Sequence, residues 1–82
     1  MKTTISIAIV ALDECMASAI VGSIDMLYAA NRIIEAMGKR ELPRFEWKVV
    51  SVSGRAVKTG NGMRQAVDCS LKGVGDVDVV YI

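Results

Sequence analysis

The side chains best equipped for chemistry in this 82-residue sequence stand together at Asp13-Glu14-Cys15. A thiol close to a helix N-terminus is a candidate nucleophile, and a carboxylate within hydrogen-bonding reach is what tunes one. The sequence contains no histidine, however, so no Ser-His or Cys-His pair can be assembled from its own residues. The second cysteine, Cys69, lies between Asp68 and Ser70 and has no metal-ligand spacing to Cys15. Two free thiols are expected, with a disulfide as the alternative. Asp13 and Glu14 then read as solvated turn residues that favour the start of a helix, and Cys15 as a partly buried, inert thiol.

These residues are positioned by the stretch from Ile5 to Gly38. Ile5–Leu12 is apolar on both alternating faces, with only Ser6 polar, which predicts a strand buried on both sides in a parallel sheet covered by helices. A helix is expected from Met16 to Met37, ended by Gly38 with Lys39 and Arg40 beyond it. Ser18, Gly22, Asp25, Ala29, Arg32 and Lys39 share one narrow stripe, and nearly everything else on the helix is apolar. Ile20, Ile24, Leu27 and Ile34 are therefore expected on the chain's own sheet, and Met26, Ala30, Ile33 and Met37 against another subunit or further structure. Ser23 and Asn31 interrupt the apolar side, each either lining a pocket or bonding to a neighbouring backbone group.

Beyond Pro43, Phe45–Ser53 places Phe45, Trp47 and Val49 on one face and Glu46 and Lys48 on the other, a strand near the sheet edge whose second half is more buried. Gly60-Asn61-Gly62 is too short to cradle phosphate and reads as a hairpin loop, its glycines supplying positive φ. Asp68–Leu71 suggests a turn or a single helical turn, and Val77–Ile82 a further apolar strand. The Ile5 strand should lie between the other two.

A hydrophobic share of 52% is high for so short a chain and points to association or to part of a larger fold. A net charge of +1 with scattered basic residues gives no footprint for nucleic acid, since Lys39, Arg40, Arg44 and Lys48 are offset by Glu41 and Glu46. No apolar run reaches the ~20 residues of a membrane span. The stretch after Lys2 lacks the form of a signal peptide, so a cytoplasmic location is expected.

In order, Asp13, Gly22-Ser23, Ala29-Ala30-Asn31-Arg32, Val52-Ser53, Gly62 and Asp68-Cys69-Ser70-Leu71 resemble the N-terminal part of the ThiJ/PfpI-like domain of the class I glutamine amidotransferase-like superfamily. The version most resembled is the sensor domain of AraC-family transcriptional regulators. The resemblance implies a flavodoxin-like α/β fold, a parallel sheet with flanking helices. Its N-terminal half would be present here as strand-helix-strand-hairpin-strand, and the DNA-binding domain absent. It also implies a non-catalytic role without cofactor or metal, in ligand sensing and dimerisation. Asp13, Glu14, Cys15 and Ser23 are then the candidate contacts to a small-molecule effector. Met26, Ala30, Ile33 and Met37 would face a homodimer partner or the missing C-terminal half, with no nucleic acid or membrane contact through this segment. The alternative is part of a ThiJ/PfpI-family hydrolase or deglycase/chaperone-like enzyme, whose acidic residue aligns here with Ala19.

Overall fold

The computed structural model describes residues 3–39 and 41–82. Lys2 and Arg40, which enter the sequence argument as cations at the N-terminus and beyond the helix, lie outside the described residues. The elements run β1 (Thr4–Val10), α1 (Ala17–Met37), β2 (Arg44–Ser51), β3 (Val57–Lys58), β4 (Arg64–Gln65), β5 (Cys69–Ser70) and β6 (Val79–Tyr81). Four strands form one parallel sheet in the order β5-β2-β1-β6, and β3 and β4 form a separate antiparallel pair. The chain is thus a mixed α/β unit with one helix against a parallel sheet. As expected, β1 lies between β2 and β6.

Register explains which rows face the helix. Ile5, Ile7 and Ile9 stand beside Phe45, Trp47 and Val49, and Ile7 and Ile9 also stand beside Val79 and Tyr81. This shared face packs against Ile20, Ile24 and Leu27 of α1 to make the core. Ile34 is half-buried, while Met26, Ile33 and Met37 are exposed; Ala30, expected among the outward residues, is half-buried. On the other face no helix covers the sheet among the described residues, contrary to the expectation from β1. Ala8 and Val50 are nonetheless fully buried there, and the segment carrying Val74, Asp76 and Val77 shares a cleft with Ser6, Glu46 and Lys48.

Strand β2 is exposed and half-buried by turns up to Lys48, then buried at Val49, Val50 and Ser51. It ends there, and Val52, expected to continue it, is exposed. The helix begins at Ala17 with Met16 as an N-cap that makes no side-chain hydrogen bond, and it carries no acidic residue in its first turn. Asp13 and Glu14 thus stand too early in the chain to serve the helix start. At the other end Gly38 takes the left-handed conformation (φ 66°), which costs glycine nothing sterically, and its N–H donates to the Glu35 carbonyl.

The segment read as a turn at Asp68–Leu71 is instead the fourth strand, β5, paired with Val50 and Ser51. An aspartate starts it. The Asp68 N–H donates to the Val49 carbonyl (2.7 Å) and the Val49 N–H donates to Asp68 Oδ2 (2.8 Å). Strand β6 starts in the same way: Asp78 N–H donates to the Ser6 carbonyl (2.9 Å) and Ser6 N–H donates to Asp78 Oδ2 (2.9 Å). From the helix, the Asn31 amide holds Phe45 by both backbone groups, at 2.8 Å each. Each of the three residues grips both the N–H and the C=O of one strand position, satisfying polar groups that are costly to leave unpaired near a core.

Candidate functional site

In an open parallel sheet the loops beyond the C-terminal strand ends are where ligands gather. Here that edge carries the turn after β1 and the β3–β4 hairpin, and the two are tied together. The Glu14 N–H donates to the Lys58 carbonyl (2.9 Å), the Gly60 N–H donates to the Cys15 carbonyl (2.8 Å), and the Lys58 N–H makes a long bond to Asp13 Oδ1 (3.4 Å). Glu14 is held at φ 69°, the one described non-glycine residue with positive φ. That conformation costs an L-residue roughly 1–2 kcal/mol and persists because the hairpin bonds fix the residues around it.

The hairpin loop works differently from the reading of its sequence. Only Gly62 has positive φ (88°). Gly60 serves by close approach: a Cβ there would lie 3.1 Å from the Glu14 carbonyl oxygen. Thr59, 2% exposed, organises the loop by accepting the Met63 N–H (3.2 Å) while its hydroxyl lies in bonding range of Asn61 Oδ1.

Of the four candidate ligand contacts, Asp13 and Glu14 are exposed in this turn, and Cys15 is half-buried against the core and free. Cys69 is likewise a free, half-buried thiol. Ser23 lies elsewhere. Its hydroxyl donates to the Ala19 carbonyl one turn back, the local bond open to helix serines. Its side chain lines a groove of about 200 Å³ between α1 and β6, walled by Ile7, Ile9, Met26, Leu27, Val79 and Tyr81. The turn and the groove are therefore separate parts of the sheet's surroundings. Asn31 lines neither, being spent on Phe45.

The groove is almost wholly apolar and smaller than the ~300–1,000 Å³ usual for a ligand pocket. It suits an aliphatic or aromatic group, with the Ser23 hydroxyl already engaged. Its walls from β1 and β6 follow from alternation once the register Ile7–Val79 and Ile9–Tyr81 is known. Register is a long-range fact, which is why those residues do not stand out in the sequence. Among the described residues, no group of three or more Cys, Asp or Glu is placed to hold a metal, and no helix is long and apolar enough to cross a membrane.

No protein-family model, curated protein or solved structure matches this chain.

Proposed function

We propose that this chain is a non-catalytic ligand-sensing and dimerisation segment, the N-terminal part of a flavodoxin-like sensor domain of the ThiJ/PfpI-like type found in AraC-family transcriptional regulators. The observation that carries the reading is the parallel order β2-β1-β6 with an apolar groove left open between α1 and β6. That groove gives a small apolar effector, or the rest of a sensor domain, a seat beside Ser23. Ala19, at the position where the enzymatic relatives carry an acid, stands exposed in the first turn of α1 and offers no carboxylate. The Asp13 carboxylate accepts from the hairpin at Lys58, and Glu14 is tied to the same residue through its backbone N–H.

Two measurements test this. Reading the coding sequence downstream of Ile82 should reveal a pair of helix-turn-helix motifs; a Cys-His nucleophile elbow there would assign the enzyme instead. The purified chain should show no turnover of activated esters or glyoxal-type substrates at high protein concentration. Turnover that vanishes in Cys15→Ala would overturn the non-catalytic reading.

A further inference from the structure

The chain exposes more surface than its mass requires. A compact monomer of 8.8 kDa shows about 4,800 Å², whereas this chain shows 5810 Å². Its radius of gyration is 13.8 Å, against about 11.7 Å for a self-contained domain of this length. The excess of about 1,000 Å² is close to the ~800 Å² that each partner of a standard interface buries.

Part of that surface is a row on α1: Ser18, Gly22, Met26, Ala29, Ile33 and Met37, all exposed. They fall within one third of the helix circumference, on the side away from the Ile20–Ile24–Leu27 core row. Gly22 is the telling member. A glycine inside a helix weakens it relative to alanine, and a Cβ added there would meet nothing within 4 Å. Nothing among the described residues accounts for its lack of a side chain. A close approach from outside does.

We propose that two copies of this chain pair through antiparallel contact of their α1 helices along this row, about a twofold axis near Leu27–Tyr28. In that register every large side chain meets a small one. Ile33 falls opposite Gly22 of the second copy, Met26 opposite Ala29, and Met37 opposite Ser18. The same pairing repeats by symmetry, as an isologous interface requires, and small residues let the helix backbones approach closely. On the solvent rim of the row, Asp25 of one copy falls within side-chain reach of Arg32 of the other, offset along the axis by roughly 3 Å, so the charges are complementary in this orientation, whereas an in-register parallel pair sets like charges at the same level. Ser23 brings no unpaired hydroxyl to the contact, being bonded to Ala19. The inference rests on the dimerisation part of the proposed function and gives its partner, orientation and register.

The test is sedimentation equilibrium of the full 82-residue chain across 1–100 μM, with far-UV circular dichroism as the folding control. The native chain should be a dimer in this range. Gly22→Ala should raise helix stability and yet weaken association several-fold, two effects of opposite sign that a merely structural glycine would not give. Gly22→Leu should abolish the dimer. Should Gly22→Leu fail to fold, the charge series decides: Asp25→Arg weakens association at least tenfold, and Asp25→Arg/Arg32→Asp restores it. A monomer at 100 μM overturns the contact, as does a dimer indifferent to both series. Either result leaves the ligand-sensing part of the regulator reading standing if a helix-turn-helix pair lies downstream, so the two can fail separately.

Discussion

The two sides of β1 are built to different standards. Toward β2 it pairs over seven positions, from Thr4–Arg44 to Val10–Val50, and the outer edge of β2 is held in turn by Asn31, Asp68 and β5. Toward β6 it pairs over three, and all three residues of that strand are exposed. Helix α1 follows the same division, packing on the β2 side and leaving a groove above β6. Burial and hydrogen bonding are thus more extensive on one side, where the chain specifies its own fold. The other side keeps its apolar surface available, and an exposed apolar edge strand is a place for something else to add.

The largest test of this contrast is truncation on either side of the core. Ile9 is 1% exposed, and Ile9→Ala should cost about 2–5 kcal/mol. A chain of 82 residues has roughly 4–12 kcal/mol of stability in total. Val80, 54% exposed on β6, should lose less than about 1 kcal/mol on truncation to alanine. Urea denaturation of both variants gives the comparison. Equal losses would mean that β6 is as integral as β1 and that the division is false.

A smaller effect separates the two polar residues of the helix. Asn31→Ala strands the N–H and C=O of Phe45 at the start of β2, and should cost about 1–3 kcal/mol. Ser23→Ala removes only a local bond to Ala19, whose carbonyl is already served by the helix ladder, and should change stability by less than ~0.5 kcal/mol. Parallel urea curves at matched protein concentration check this pair. A loss for Ser23→Ala as large as for Asn31→Ala would show that the groove side is held as tightly as the β2 side.

The same contrast explains what was legible in the sequence. Strand β1 announced its central place because Ile5, Ile7 and Ile9 on one face and Ala8 and Val10 on the other are all apolar. Strand β2 announced its half-exposed start by Phe45-Glu46-Trp47-Lys48, and the helix its end by Gly38. Local periodicity carries that much. It does not carry pairings between distant positions, and most of the features that escaped are of that kind. Asn31 looked like a pocket or local-bond residue because Phe45 lies fourteen residues away. Strand β5 looked like a turn because it is two residues long and is fixed by Asp68 reaching Val49. Asp13, Glu14 and Cys15 looked like one site with Ser23 because nothing nearby in sequence tells that a hairpin closes over the turn while Ser23 faces β6. The outward row of α1 was largely readable, except that Ala30 proved half-buried.

The finest test asks whether the hairpin fixes the turn after β1. A methyl at Gly60 would press to 3.1 Å of the Glu14 carbonyl oxygen, backbone that cannot swing aside as a side chain can. Gly60→Ala should therefore loosen the hairpin from the turn, at about 1 kcal/mol. Glu14 offers the opposite change at the same contact. Its φ of 69° costs a side-chain-bearing residue roughly 1–2 kcal/mol, which glycine would not pay. Glycine in turn gives the unfolded chain extra freedom worth about 0.4–1 kcal/mol. The difference favours Glu14→Gly by up to about 1.6 kcal/mol, while Glu14→Val, with a branched Cβ in the left-handed region, should be destabilising. Thermal melts at matched protein concentration would show the two substitutions moving in opposite directions. If Gly60→Ala is made first and releases the turn, both Glu14 effects should shrink together, because an untethered turn can relax out of positive φ. Effects of undiminished size in the Gly60→Ala background would mean that β1 and α1, rather than the hairpin, impose the conformation.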